Sequence, residues 1–449
     1  MTTGLQAGVA EVDITPAVGF DFISGFPRYA PAVGVVDEML ARALVLDDGH
    51  TPLAIVCADL LWFTEPLVAA IGQHVERLTG IAREHIVLNA SHAHTPPETY
   101  PPAGASESYL EELGKKVAGA VYMAWRRREP ALLGHGLGHC TAAINRYRFP
   151  DGAPWTFQPA PDEPVDHDVS VLRVDRQSGG AMAVVVNYAC HPSILPGDFM
   201  EFCGDYTTPL MAAVGETFGP DTLPMFLAGA GGDVKIAVLT EDGERFRPGT
   251  LDDCRHFGKM IGSEAARVAL GIECGPVDGL GYAQTEVELP TLPPRPADEY
   301  LHQAAQLRRK ADRSGMDERV LEWLEANARN VAAGTAPLSK RLVMQLLTIG
   351  PEIALVALPG ELFVDIGMKM KGVLGVPAPF LAAYSNDTLS VGYIPSTRAV
   401  EHGWSDTDIN LQVFQRPCLP ANYSAEAETR LVAAATELAA RQGLPTRRR

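Results

Sequence analysis

The sequence His85-Ile-Val-Leu-Asn-Ala-Ser-His-Ala-His-Thr-Pro-Pro97 leads a short apolar segment directly into a cluster of polar side chains. The run of apolar, β-branched residues predicts a buried strand over residues 85–89. Polar side chains that follow a strand are typical of an active site built at the carboxyl ends of sheet strands. In an extended segment, residues i and i+2 face the same way, so we expect His92 and His94 to point into one cavity.

Two more predicted strands end in a similar way. Residues 182–188 are followed by Ala189-Cys190-His191-Pro192-Ser193, and residues 353–358 by Pro359-Gly360-Glu361. Two other strand endings are rich in glycine or carry tyrosine, namely Ala228-Gly-Ala-Gly-Gly-Asp233 and Tyr384-Ser-Asn-Asp-Thr-Leu-Ser-Val-Gly-Tyr393. These segments hold the candidate functional residues of the chain.

His92, His191 and Glu361 make up a ligand set that is common for catalytic Zn²⁺, in which a further position stays open for water. Zinc is therefore the first metal to test. The three residues are far apart in the sequence, and no local motif such as His-Glu-x-x-His supports the grouping.

Structural roles remain open for each of these residues. A His-x-His pair can be two hydrogen-bonded polar side chains, and His191 can be a satisfied histidine of the core. Glu361 can cap the helix that follows it, where a carboxylate is favourable. Asp233 can belong to a tight turn whose glycines supply positive φ, and Tyr393 can be an ordinary half-buried aromatic residue.

The chain alternates apolar segments with amphipathic ones, which predicts an α/β fold of mixed β-sheets flanked by helices. The predicted strands include 43–46, 53–58, 85–89, 169–174, 182–188 and 224–228, and the predicted helices include 65–79, 106–127 and 253–269. Residues 286–298 are punctuated by proline, and residues 298–334 carry a highly charged helical pattern that predicts an exposed helical excursion. Strand-like sequence resumes over 342–358 and 380–384, and a last helix is expected near 424–441.

The composition argues against several classes of partner. The 449 residues include 37 Lys and Arg against 55 Asp and Glu, so the net charge is −18. Such a chain repels nucleic acid and anionic membranes, and it favours a neutral or weakly charged small-molecule substrate. No apolar run reaches the roughly 18 residues that span a bilayer. No secretory signal is visible, so we predict a cytoplasmic protein. The seven cysteines include no Cys-x-x-Cys pair and are expected to be reduced.

Taken in order, these segments resemble the catalytic domain of the neutral (non-lysosomal, alkaline) ceramidase family of zinc-dependent amide hydrolases. The resemblance begins at residues 8–16 (GVAEVDITP), continues through 34–37 and 41–43, and is sharpest at Ser91-His-Ala-His-Thr-Pro96, which is similar to the family's His-Thr-His-Ser-Gly-Pro. It covers most of the chain through Asn145-Arg146, His191-Pro192, Gly232-Asp233, Pro359-Gly360-Glu361 and Gly392-Tyr393-Ile394-Pro395.

The resemblance implies one Zn²⁺ per chain, whose ligands would be His92, His191, Glu361 and Tyr393. It places His94 and Arg146 beside the scissile carbonyl, and these two residues together with Tyr393 are the expected catalytic residues. Tyr393 as a ligand and Arg146 as an electrostatic partner come from the resemblance alone. It also implies a single ceramidase-like catalytic domain over residues 1–449, and we expect no C-terminal immunoglobulin-like domain.

The chain departs from the family pattern at two positions. A second family tyrosine falls on Ser405, and the serine that follows the family's Gly-Asp-Val falls on Lys235. Lys235 favours a mechanism that uses metal-activated water over a serine nucleophile, although it can equally be a solvated loop charge. Asp205 or Asp59 can orient a ligand histidine, as outer carboxylates do in zinc sites, or can be structural.

We therefore expect a zinc-dependent hydrolase that cleaves a linear amide bond of a small soluble N-acyl compound through metal-activated water. His94 and Arg146 would stabilise the oxyanion, or His94 would carry the proton to the leaving amine. We prefer a small substrate because neither an export signal nor the accessory domain is visible. A true ceramidase that cleaves N-acyl-sphingosine, an ester hydrolase, and a non-catalytic metal-dependent binding protein of the same fold remain open. We expect no nucleic acid partner and no stable membrane association.

Overall fold

A computed structural model describes residues 4–25, 28, 30–101, 104–150, 153–313, 315–404 and 419–446. Two stacked β-sheets form its centre, and helices cover the outer face of each sheet. The layers therefore follow one another in the order helix, sheet, sheet, helix.

The larger sheet, within the described residues, contains eight strands, which are β1 (Gln6–Asp13), β3 (Leu40–Asp47), β4 (Leu53–Ala58), β5 (Ile86–Ala90), β6 (Glu129–His139), β9 (Asp168–Arg176), β10 (Ala181–Tyr188) and β12 (Leu223–Ala228). Their spatial order is β12-β10-β9-β6-β1-β3-β4-β5. The pairs β4-β5 and β10-β12 are parallel, whereas the other neighbours are antiparallel.

The second large sheet contains, over the same described ranges, four strands in the order β14 (Leu280–Pro290), β15 (Ser339–Ile349), β16 (Ile353–Ala357) and β18 (Ala378–Ala382). Smaller sheets join β2 (Gly34–Val35) to β11 (Glu201–Phe202), and β17 (Glu361–Leu362) to β19 (Tyr393–Ile394). In a further small sheet, β7 (Ala143–Arg148) lies between β8 (Thr156–Ala160) and β13 (Val234–Ile236).

The outer face of the larger sheet is covered by α1 (Glu65–Thr79), α2 (Glu107–Arg126), α3 (Thr207–Phe218) and α4 (Leu251–Leu270). Proline near the start of α1 and Gly80 in a left-handed conformation after it mark the two ends of that helix. The helices α5 (Ala297–Arg308) and α6 (Gly315–Ala332) pack on each other around Tyr300, Trp323 and Leu324. The second sheet is covered by α7 (Val364–Val373) and α9 (Glu426–Arg441), and α8 (Thr397–Glu401) is short.

Both faces of the larger sheet are buried. In β3, Ala43 and Val45 belong to the cluster formed with α1 and α2, whereas Leu44 and Leu46 pack with residues of the second sheet such as Leu347. This two-sided burial explains why residues 43–46 are continuously apolar rather than alternating.

Two buried asparagines join the strand ends of the two large sheets. Asn89 donates to the Ala383 carbonyl at 2.5 Å and accepts from the Ala228 amide at 2.8 Å. Asn187 donates to one carbonyl on each sheet, that of Leu227 at 2.8 Å and that of Leu381 at 2.9 Å. Because buried amides need such partners, these contacts hold the carboxyl ends of β5, β10, β12 and β18 together.

The predicted α/β class, with mixed sheets, flanking helices and a helical excursion, is confirmed. All six predicted strands and all three predicted helices are present, with ends shifted by a few residues at most. The first part of the proline-punctuated segment, residues 286–290, continues β14. Pro290 is tolerated there since it occupies the last position of the strand.

Among the described residues, no helix is long and apolar enough to cross a membrane. The described cysteines are all free, as predicted, and they are Cys57, Cys140, Cys190, Cys203, Cys254 and Cys274. Cys418 lies outside the described residues.

Candidate metal centre

The three ligand candidates that come from different strand ends meet in the interior. Glu361 Oε2 lies 3.1 Å from His92 Nε2 and 3.8 Å from His191 Nε2. All three side chains are at most 1% exposed. They follow β5, β10 and β16, so the junction of the two sheets brings together residues that are far apart in the sequence.

His94 belongs to the same cluster. Its Nε2 lies 2.9 Å from His191 Nε2, and its ring meets the His92 ring edge-on with centroids 5.4 Å apart. One nitrogen from each of these three histidines lies within 4.8 Å of the other two, so the group could hold a metal ion.

The convergence of His92 and His94 is confirmed, but the extended geometry expected for it is wrong. The backbone of His92 is left-handed, with φ of 63°, and its amide donates to the Leu60 carbonyl at 2.9 Å. A positive φ at a non-glycine residue costs free energy and is concentrated at functional sites, where the surroundings hold it in place.

Backbone carbonyls orient two of the histidines. His92 Nδ1 lies 2.8 Å from the Leu61 carbonyl oxygen, and His191 Nδ1 lies 3.2 Å from that of Gly231. Because a carbonyl can only accept, each Nδ1 carries the proton and each Nε2 presents its lone pair to the cluster. This is the orientation that metal-binding histidines adopt, so the donor set fits a zinc ion.

The two carboxylates considered for this orienting task are structural. Asp59 accepts from the Leu40 amide at 3.0 Å and from Arg42 at 3.2 Å. Asp205 accepts from backbone amides that include those of Ile194 and Tyr206, both at 2.8 Å. The carbonyls of Leu61 and Gly231 take the role instead, because the main chain passes directly behind each ring.

Burial keeps the imidazole rings of His94 and His191 neutral. Desolvation lowers the pKa of His94 well below its usual value, and His92 and Arg146 add to the effect. Desolvation also lowers the pKa of His191 well below its usual value, with Arg146 as the next cause. Neutral imidazoles are the form that coordinates a metal.

Tyr384 is a site residue to which the sequence analysis gave no role. Its ring stacks on His92 with centroids 4.1 Å apart, and its hydroxyl lies 3.5 Å from His191 Nδ1. Its backbone is also left-handed, with φ of 53°. Its position at the end of the predicted strand 380–384 is the signal that could have identified it.

Tyr393 and Arg146 lie beside the cluster. In the ladder between β17 and β19, Tyr393 is the direct cross-strand partner of Glu361. Its hydroxyl accepts from Arg146 Nη2 at 2.9 Å, and the same nitrogen donates to the Gly232 carbonyl at 2.5 Å. Burial raises the pKa of Tyr393 well above its usual value, so the phenol is protonated, and Arg146 opposes this shift.

The glycine-rich loop after β12 fits closely against the site, which the tight turn with positive φ considered for it does not explain. A Cβ on Gly232 would lie 2.5 Å from the Glu361 carbonyl oxygen, and one on Gly231 would lie 2.9 Å from the Cys190 nitrogen. Neither glycine has a positive φ. The loop needs glycine for close approach to the segments that carry Glu361 and His191.

Asp233, at the end of this loop, holds the start of α7. Its carboxylate accepts from the Val364 amide at 2.7 Å and from Asn145 Nδ2 at 3.0 Å. The capping role considered for Glu361 therefore belongs to Asp233, because Glu361 turns inward to His92.

We expect Gly232→Ala to weaken metal binding. The added methyl group would push the loop away from Glu361 and displace its carboxylate from His92, and displaced support of a ligand typically lowers metal affinity about 10–100-fold. Competition with a chromogenic chelator measures this loss. Gly215→Ala is the matched control, because its Cβ would meet its nearest neighbour at 3.7 Å. Unchanged affinity in Gly232→Ala would contradict the prediction.

Lys235 lies on strand β13 and is half-buried, so the solvated loop charge considered above is wrong. Its Nζ lies 4.8 Å from the centre of the Phe246 ring. Burial lowers the pKa of Lys235 to about 8, and Arg146 adds to the effect, so the ammonium is charged at neutral pH. Ser405 lies outside the described residues, and the preceding Trp404 packs on Phe363 with ring centroids 4.9 Å apart.

The architecture and the buried histidine cluster define an α/β sandwich with a candidate metal centre at its strand ends. Among solved structures, neutral ceramidase from Pseudomonas aeruginosa has a similar fold, with a TM-score of 0.72 and 17% sequence identity over 99% of this chain and 76% of that chain. A structure described as ceramidase complexed with C2 matches with a TM-score of 0.72 and 16% identity over the same shares. No protein-family model and no curated protein sequence matches the chain. The expected neutral ceramidase-like fold is thus confirmed.

Proposed function

We propose that this chain is a zinc-dependent hydrolase that cleaves a linear amide bond of a small soluble N-acyl compound. The observation that carries the proposal is the convergence of two carbonyl-anchored histidines and Glu361 beside a buried arginine. The proposed ligands are His92, His191, Glu361 and Tyr393, with one Zn²⁺ per chain. The likeness to ceramidase structures supports amide chemistry.

A zinc ion bound in such a site polarises a carbonyl group and lowers the pKa of water towards about 7. Arg146 would bind the carbonyl oxygen as its negative charge develops. Its Nε is a buried donor that has no hydrogen-bond partner in the described part of the chain, and a substrate oxygen would supply one. One well-placed donor of this kind is worth about 3–4 kcal/mol.

His94 would move the proton. Its Nε2 faces the cluster at 2.9 Å from His191 Nε2. The ring is neutral at the outset, so it would first take a proton from the attacking water and then pass it to the leaving nitrogen of an amide held beside Arg146. Tyr393 would keep Arg146 in place through the 2.9 Å hydrogen bond between them, in addition to its proposed role as a ligand.

Metal removal and restoration test the proposal. Protein treated with a chelator should lose hydrolysis of short N-acyl amides and regain it with Zn²⁺, and elemental analysis should find about one zinc per chain because the site offers one donor set. Hydrolysis that persists in metal-free protein would contradict the proposal. The cytoplasmic location and the lack of stable membrane association stay predictions from the sequence.

A true ceramidase is the second candidate, because both similar structures are ceramidases by description. It predicts faster cleavage of N-acyl-sphingosine in detergent than of a short N-acyl amide. Zinc binding without turnover of either substrate would instead indicate a metal-dependent binding protein.

A further inference from the structure

Lys235 is placed beside the candidate metal centre by its backbone. It forms a parallel bridge with His191, and the His191 amide donates to the Val234 carbonyl at 3.0 Å. Side chains alternate along a strand, so Lys235 points away from Val234 and Ile236, which enter the core. The side chain of Lys235 therefore lies on the face of the small sheet of β7, β8 and β13 that is opposite to Val234 and Ile236.

The same face carries a second cation. Lys235 Nζ lies 6.0 Å from the centre of the Phe157 ring, and Arg146 Cζ lies 5.9 Å from the centre of that ring. Phe157 is 51% exposed. Two cations thus flank one accessible aromatic ring, and one of them reaches inward to Tyr393.

Among the described residues, the Lys235 ammonium has aromatic neighbours but no carboxylate within ion-pair distance. Across the described residues, its Nζ makes no ion pair and no hydrogen bond. The acid that influences it, Asp205, has its two carboxylate oxygens occupied by backbone amides, at 2.8 Å from Ile194 N and 2.8 Å from Tyr206 N. A half-buried charge without a partner costs free energy, which a bound anion would recover.

We propose that Lys235 binds the carboxylate of an anionic substrate, so that the preferred substrate is an N-acyl amino acid. The inference rests on the proposed amide hydrolase function and narrows the small N-acyl compound to an anionic one, which differs from the neutral or weakly charged substrate expected from the net charge. Arg146 would hold the amide carbonyl, while Lys235 would hold the carboxylate further out along the same face. The step is one of recognition and involves no bond change.

A matched pair of substrates tests whether Lys235 binds the substrate carboxylate. N-hexanoylglycine and N-hexanoylethanolamine share the amide and the acyl chain, and they differ by a carboxylate in place of a hydroxymethyl group. The zinc-loaded protein should have a kcat/KM about 10–100-fold higher for hexanoylglycine, the value of one charge-assisted hydrogen bond. Lys235→Met should remove this preference through KM with kcat little changed, and Lys235→Arg should restore much of it.

Lys115→Met, an exposed lysine on α2, is the matched control and should leave both substrates unaffected. Equal rates for the two substrates, or an equal loss on both in Lys235→Met, would overturn the proposal. If zinc-loaded protein cleaves neither compound, the proposed hydrolase function fails. In that case, calorimetric binding of hexanoylglycine to metal-free protein tests whether Lys235 binds a carboxylate. Binding that weakens at least about tenfold in Lys235→Met supports the anion site, and absent or unchanged binding refutes it.

Discussion

Replacing His92 with alanine should remove the metal and abolish hydrolysis. The change deletes one Nε2 donor and leaves Glu361 Oε2 without the neighbour that lies 3.1 Å away. We expect zinc content to fall from about one ion per chain to near zero after dialysis, and kcat/KM to fall about a thousandfold or more, because water activation depends on the metal. Elemental analysis and initial rates measure the two effects.

Two further variants make this result interpretable. His92→Asn keeps a residue type that tolerates the left-handed backbone at φ of 63°, so its loss of zinc would reflect the missing ligand rather than backbone strain. His50→Ala, an exposed histidine between β3 and β4, should retain both zinc and activity. Full activity of His92→Ala after chelation would refute the metal centre.

Replacing Arg146 with glutamine should lower turnover without removing the metal. Arg146 is not among the proposed ligands, but its guanidinium contacts Tyr393, which is one of them, and the Gly232 carbonyl. Loss of a donor to a developing oxyanion typically reduces kcat about 100–1000-fold. Steady-state kinetics of zinc-loaded protein, with zinc content measured in parallel, separates this effect from loss of metal.

Arg148→Gln provides the matched control, since Arg148 lies two residues further along β7 and bonds the Pro159 carbonyl at the periphery. It should retain nearly full kcat. A thermal melt of Arg146→Gln shows whether the protein stays folded when a buried amide replaces the guanidinium. Undiminished kcat in a folded Arg146→Gln protein would exclude Arg146 from oxyanion binding, and loss of zinc would instead make it a residue that positions the ligands.

Much of the fold could be predicted because the strands are marked locally. The runs 53–58 and 182–186 are continuously apolar, and such runs form strands when both faces of a sheet are covered. Such local patterns do not show how the two large sheets pack on each other. Nothing local to Asn89 or Asn187 indicates that its amide would bond strands from both large sheets.

The candidate site likewise combines residues that the local sequence indicates with contacts that it does not. Local sequence shows which residue types follow which strand, and it therefore places His92, His94, His191 and Glu361 among the candidates. The tertiary contacts show that Leu61 and Gly231 orient the histidines and that Asp233 rather than Glu361 holds α7. Within the described ranges, they also leave Lys235 without an ion-pair partner. The physical reason is that periodicity and turn chemistry act over a few residues, whereas these contacts join segments that meet only when the two sheets stack.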